Sequence, residues 1–220
     1  MKLSTNSPTA KSKYYCLFGA GVVILLAMVS LFVGKYQLSI EKLLSADPMH
    51  WRVFLTLRCS RTFVGVIGGF ALGVAGFVYQ TVFRNPLASP DIIGVSSGAS
   101  AGAAVGILFL SGAASVTISA FAGALLAVIL ALGLSALDKS GKHQTIVLAG
   151  IAVHSLAQTA LMALKLTADP DQELAAIEYW IMGSLNGISL HSIGGCVLLC
   201  TACMIALFLL HRHVVLLSSV

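Results

Sequence analysis

Apolar, uncharged runs separated by short charged stretches set the pattern of this chain. The first covers residues 14–34 between Lys13 and Lys35, and the second covers 62–83 between Arg61 and Arg84. A hydrocarbon core about 30 Å thick is crossed by about 20 apolar residues in a helix, so each run is long enough for one crossing. Residues 92–137 are 46 uncharged positions in a row. At about 1.5 Å per residue they reach roughly twice across a bilayer, so two crossings are expected, with the turn at Ser111-Gly112. Two more runs cover 143–164 and 188–210, the first ending at Lys165 and the last closed by His211-Arg212-His213. The pattern predicts six transmembrane helices, at about 14–34, 62–83, 92–110, 113–137, 143–165 and 188–210, in a single domain of residues 1–220 with both ends on one side.

Local signals fill in the connections. Asp169-Pro170-Asp171-Gln172-Glu173 offers an N-cap, a proline at the first helical position and acids in the first turn. Leu174, Ile177 and Ile181 follow at helical spacing and Gly183 can end the helix, which predicts a short amphipathic helix over about 170–183 on the outer surface. Asn85-Pro86 stops the second run, and Ser89-Pro90-Asp91 starts the third. Gly65, Gly69 and Gly73, like Gly98, Gly102 and Gly106, lie four apart and leave a groove of bare backbone for a neighbouring helix.

Orientation is weakly encoded. With the N-terminus inside, seven basic residues fall on inner segments (Lys2, Lys11, Lys13, Arg84, Lys139, Lys142, Arg212) and six on outer ones. The N-terminal lysines and the compact Lys139/Lys142 loop favour a cytoplasmic N-terminus. The first run is too long for a signal-peptide core and lacks an Ala-x-Ala exit, so it is read as the first span.

Composition agrees. Hydrophobic residues make up 58% and charged residues 10%, with mean hydropathy +0.96. Soluble domains carry about 45–50% and about 25%. That excludes an ordinary cytosolic enzyme, a disordered tail and a nucleic-acid binder, and makes the lipid bilayer the chain's surroundings. The net charge of +5 is scattered, as membrane flanks are. Four of the five cysteines sit in or beside apolar runs, so no disulfide framework is expected.

Few residues can carry chemistry. Gly94-Val95-Ser96-Ser97-Gly98 matches the nucleophile-elbow pattern, but that device needs a strand before it. An intramembrane hydrolase with His154 as base is therefore the weakest alternative, and fluorophosphonate labelling of Ser96 or Ser97 would revive it. Cys196, Cys200 and Cys203 have cluster-like spacing inside an apolar span, where cysteine serves as a small hydrophobe, so no metal site or other cofactor is expected. His154 and Gln158 share one face of the fifth run, either as an interhelical hydrogen bond or as a pathway lining. Arg58 and Arg61 stand before the second run, either snorkelling to headgroups or offering a docking surface to an acidic partner. No P-loop is present, so any ATP is hydrolysed elsewhere.

Four stretches stand out: Arg58-Cys59-Ser60-Arg61, Gly68-Gly69-Phe70-Ala71-Leu72, Gln80, and the long block from Arg84-Asn85-Pro86-Leu87-Ala88-Ser89-Pro90-Asp91 through Ile92-Ile93-Gly94-Val95-Ser96-Ser97-Gly98-Ala99. They resemble the FecCD family, the permease subunits of ABC importers for iron-siderophores, haem and vitamin B12. Leu148-Ala149-Gly150-Ile151-Ala152 and Tyr179-Trp180-Ile181-Met182-Gly183-Ser184-Leu185 follow in the family's order. The resemblance implies an all-α, polytopic membrane helix bundle with the BtuC-like importer-permease fold, in a multi-pass protein of the bacterial inner or plasma membrane.

It also implies partners: a second permease subunit (as a homo- or heterodimer), a cytoplasmic ABC ATPase, an extracytoplasmic substrate-binding protein, and an iron-siderophore or related chelate as cargo. Arg58 and Arg61 match the arginines that meet acidic lobes of the binding protein, with Cys59-Ser60 in place of the usual Leu-Pro. Asn85 and Leu87 match the loop that narrows the path on the cytoplasmic side. His143, Gln144 and Thr145 match a second constriction, and His154 and Gln158 fall on the span that lines the path in relatives. Family members have about ten spans, so the chain is expected to be the N-terminal part of a permease, without the C-terminal spans and coupling segment. The transport subunit itself is not expected to be an enzyme. The alternative is a secondary transporter or channel driven by an ion gradient. Against it, no acidic residue lies at midplane depth in any span.

Overall fold

The computed structural model describes residues 10–34, 36, 39, 41, 43, 45, 47–83, 85, 88–110, 112–137, 143–186, 188 and 190–219. Among these residues the regular structure is entirely helical: α1 (Ala10–Phe32), α2 (Pro48–Val53), a π-helical segment (Phe54–Cys59), α3 (Ser60–Phe83), α4 (Val95–Phe109), α5 (Ala113–Ala136), α6 (His143–Thr167), α7 (Glu173–Met182) and α8 (Leu190–Ser219). Four stretches are long and apolar enough to cross a membrane: Lys13–Phe32, Pro48–Phe83, Ala113–Ala136 and Thr145–Thr167. Val95–Phe109 and Ile193–Leu209 are shorter apolar helices.

The described chain divides into two compact units, Met1–Ala71 with Leu185–Ala206, and Leu72–Ser184 with Leu207–Val220. α2 continues through the π segment into α3, and the part of this helical stretch up to Ala71 belongs to the first unit. It starts where Asp47 accepts from the backbone N of Met49 at 3.0 Å with Pro48 next in line, the arrangement that satisfies orphan amides and suits a proline without one. The sequence pattern starts this helix only at residue 62, because Arg52, Arg58 and Arg61 interrupt the apolar run. At the start of α3 the Ser60 hydroxyl, nearly enclosed, donates back to the carbonyl of Leu55 in the π segment at 3.1 Å.

The second unit is built on backbone contact. α4 and α5 approach so closely that a Cβ on Gly98 would lie 2.6 Å from the carbonyl oxygen of Gly123 and 2.7 Å from the Cβ of Ala127. Gly102 faces the backbone of Ser119 and Gly123 in the same way, and the Ser119 hydroxyl donates to the carbonyl of Gly102 at 2.8 Å. Small residues at i, i+4 and i+8 permit this approach, and a hydroxyl bridging to a carbonyl reinforces it. Gly112, at φ +102°, makes the turn into α5.

α6 closes the layer against both helices. One core cluster holds Ile93, Ala127, Ala131 and Val153; a second holds Ala104, Leu161, Ala168 and Ile177. The second cluster seats α7 through Ile177. α7 begins at Glu173, later than the cap signal implied, because residues 170–172 form turns. Asp169 still organises the start: its carboxylate accepts from Asp171 N at 3.0 Å, and Glu173 reaches back to Asp169 N at 2.9 Å. Gly183, at φ +75°, follows its last residue. Lys165 of α6 pairs with Glu178 of α7 at 2.9 Å.

The glycines Gly69 and Gly73, by contrast, meet nothing within 4 Å, and Gly65 meets only a Leu185 methyl at 3.8 Å. This bare stripe is unfilled by the described residues.

Candidate functional site

Three groups of sequence-predicted residues fall in different places. In the second unit, α3 gives way to the turn that carries the long Asn-Pro-Leu block. The amide of Asn85 donates to Gln80 O at 3.2 Å, a five-residue closure, and Ala88 N returns to Asn85 O at 3.0 Å. Arg84, Pro86 and Leu87 lie outside the described residues, and so do the side chains of His143 and Gln144, although both belong to α6. Thr145 is described and half-buried in the first turns of α6, and neither it nor Asn85 is without an interaction partner.

The turn is then locked to α6 by two glycines. Gly94 takes the left-handed conformation at φ +87°, which a side chain disfavours, and a Cβ there would sit 3.1 Å from the backbone N of His154. A Cβ on Gly150 would lie 2.8 Å from both Ile92 O and Ile93 Cα. Gly150 and His154 are one helical turn apart, so the 92–94 backbone lies flat along one face of α6. The third apolar run therefore becomes helix only at Val95, where Gly94 redirects the chain.

His154 is half-buried beside this contact, and its Nδ1 is enclosed without a hydrogen-bond partner among the described residues. Gln158, on the same face, is exposed. The enclosed nitrogen makes no interhelical hydrogen bond within this unit. Of the elbow-like serines, Ser97 donates to Gly94 O at 3.0 Å from inside the first turn of α4, and among the described residues no strand precedes it. Among the described residues no three His, Cys, Asp or Glu side chains gather as a metal site would require.

In the first unit, Arg58 and Arg61 are engaged with main-chain carbonyls. Arg58 lies in the last turn of the π segment and its guanidinium donates to Val33 O and, at 3.1 Å, to Tyr36 O, just past the end of α1. Arg61 donates through Nη2 to Asn186 O at 3.2 Å, while its enclosed Nε has no partner among the described residues. Each fork therefore ties a separate connecting segment to the same stretch of helix. Sequence reasoning passed over the neighbouring cluster of Asp47, His50 and Tyr36. Asp47-Pro48 carried the same cap signal as Asp169-Pro170 and marks the helix start that positions His50.

A model described as the FecCD transport family matches residues 22–219. The hemin transport system permease protein HmuU of Yersinia pestis is 34% identical over 175 residues, which is 75% of this chain and 51% of that protein. The molybdate import system permease protein MolB of Haemophilus influenzae is 31% identical over 182 residues, 76% of this chain and 53% of its own length. A solved structure, described as an inward-facing conformation of a metal-chelate type ABC transporter, superposes with a TM-score of 0.80 at 27% identity, covering 93% of this chain and 64% of that one. The chain thus spans about half the length of the curated relatives it matches.

Proposed function

The chain belongs to the FecCD transport family, and from that premise we propose that it is a multi-pass permease component of a binding-protein-dependent ABC importer. Six helices cross the membrane, with the two shorter ones, Val95–Phe109 and Ile193–Leu209, completing the set, and the N-terminus is cytoplasmic. The cargo is a metal chelate, with an iron-siderophore as the specific reading. Relatives named for hemin, ferric citrate and molybdate support the chelate or oxyanion class more broadly than any one member. A second permease subunit, a cytoplasmic ATPase and an extracytoplasmic binding protein complete the machine in the bacterial inner membrane.

The observation that carries this reading is the contact of the 92–94 backbone with α6 through Gly94 and Gly150. It couples the loop that would narrow the path at Asn85 and Leu87 to the helix that begins with His143, Gln144 and Thr145. Movement of one is then movement of the other, which alternating access at an inner gate requires. His154 and Gln158 line the path further along that helix.

Arg58 and Arg61 receive acidic lobes of the binding protein on the outer face. With Arg58→Glu and Arg61→Glu together, docking of the co-encoded binding protein weakens at least tenfold, or about 1.4 kcal/mol, at low salt. The loss shrinks as salt rises, since a Debye length near 10 Å at 0.1 M screens exposed charges. The substitution also removes the ties to Val33, Tyr36 and Asn186, so the salt dependence is the deciding readout. A salt-independent loss, or unchanged affinity, overturns the docking role.

A further inference from the structure

We propose that the crevice between α4, α5 and α6, within the second unit, is a binding site for one acyl chain of a bilayer phospholipid. The two core clusters show how it forms. Ala127 and Ala131 of α5 meet Val153 of α6 in the first cluster. The second cluster joins α6 to α4 through Leu161 and Ala104, and among the described residues no α5 side chain enters it. α5 nevertheless stays against α4 over that length, with Ser119 on Gly102 and Gly106. α5 and α6 therefore part from each other along α4 and leave a wedge of about 290 Å³. Small residues make it deep: Gly98, Ala101 and Gly102 on α4, Gly123 on α5, and Ala157 and Ala160 on α6. Leu126, Leu130 and Leu156 also line it and are exposed, forming its rim.

Chemistry and size together choose the occupant. Every lining residue is apolar, so a water molecule finds no polar side chain to bond and an apolar guest is favoured. A charged cargo is excluded for the same reason. Two of the three walls belong to Ala113–Ala136 and Thr145–Thr167, which are long and apolar enough to cross a membrane, so hydrocarbon surrounds the crevice. An unfilled void there forfeits the dispersion contacts of its lining. A helix about 10–12 Å across, rising about 1.5 Å per residue, takes up roughly 120–170 Å³ per residue. The wedge holds about two such residues, which is no helix. An apolar cavity of about 150 Å³ holds a benzene ring, so this one has room for roughly ten to twelve carbons in file. That is most of one acyl chain. The site rests on the membrane-spanning reading above, but no ATPase, binding protein or cargo enters it.

Native mass spectrometry of the full chain tests this. The protein is delipidated in detergent and titrated with dipalmitoylphosphatidylcholine, dipalmitoylphosphatidylglycerol or dihexanoylphosphatidylcholine at equal mole fraction in the micelles. One dipalmitoyl lipid per chain should bind saturably, above the non-saturating lipid of the outer surface. Exchanging the headgroup should change its affinity by less than about twofold, because the crevice offers no charge or hydrogen bond. The dihexanoyl lipid should bind roughly tenfold more weakly or worse, since each missing methylene leaves part of the wedge without contacts. Ala157→Leu and Ala160→Leu each put a side chain in the same space, so the bound lipid is lost while the melting temperature stays at or above the parent's. Ala114→Leu, on an exposed position of α5 outside the lining, should keep the lipid. Absence of saturable binding overturns the proposal, as does binding that follows the headgroup rather than the chain. Both of those readings use the parent protein and hold even if a variant fails to fold. Lipid that survives both crevice variants, or a dimer of this chain that Ala157→Leu dissolves, also overturns it. Failure here leaves the importer reading untouched, since that is judged by the ATPase that co-purifies.

Discussion

Gly102→Leu abolishes the pairing of α4 with α5. The substituted Cβ alone would collide with the backbone of Ser119 and lie 3.1 Å from Gly123 Cα, before the rest of the leucine is placed. Backbone cannot swing aside as a flexible side chain does, so both helices must separate. Separation also breaks the Ser119–Gly102 hydrogen bond and opens the cluster of Ile93, Ala127, Ala131 and Val153. Overpacking a core costs typically about 1–3 kcal/mol, and here the expected cost is at the upper end or beyond. Gly69→Leu is the matched control, since nothing lies within 4 Å of a Cβ there and surface changes stay within about 0.5 kcal/mol. Thermal unfolding of both variants in detergent checks this. The Gly102 variant should lose several degrees or fail to yield monodisperse protein, and the Gly69 variant should match the parent.

Gly150→Leu has the second largest effect, and it falls on function as well as stability. The side chain would be driven into Ile92 O and Ile93 Cα, both 2.8 Å from the Cβ position. Since α6 is a 25-residue helix held by two other helices, the turn moves rather than the helix. At its far end the turn is held, among the described residues, by the backbone bonds of Asn85 and Ala88, so displacement spreads toward the loop proposed as the inner gate. Destabilisation of about 1–3 kcal/mol is expected, together with loss of substrate uptake by the assembled transporter at a temperature where the variant remains folded. Gly94→Ala is a milder test of the same joint, costing about 1–2 kcal/mol for a side chain in the left-handed region. Uptake at the parental rate in folded Gly150→Leu protein would separate the turn from transport.

How much of this was legible in the sequence follows from what a pattern can encode. Hydropathy marks which stretches are helical and apolar, and α1, α5 and α6 lie within a few residues of their runs. It cannot mark where backbone turns inside an uncharged stretch, so the 92–110 run loses residues 92–94 to the turn closed by Gly94. It also fails where charges sit on a helix. Arg52, Arg58 and Arg61 break the pattern over Pro48–Cys59, although that segment is continuous with α3. A π segment is a change of hydrogen-bond register and leaves no side-chain signature.

The two glycine ladders read alike in sequence. Only Gly98, Gly102 and Gly106 are filled among the described residues, because their partners, Ser119 and Gly123, come from another helix. Periodicity shows that a groove exists and is silent about what enters it. The arginines teach the same lesson. Their charge reads as an outward-facing signal, while in the structure Arg58 and Arg61 spend donors on the carbonyls of Val33, Tyr36 and Asn186.

The central claim, that this chain is a permease component of an ABC importer, is tested most directly by purifying the tagged protein from membranes after co-expression with its neighbouring genes. The account predicts that an ABC ATPase co-purifies in stoichiometric amount and that the complex hydrolyses ATP. A stable oligomer of this chain alone, with no ATPase bound and uptake that follows an ion gradient after ATP depletion, would contradict it.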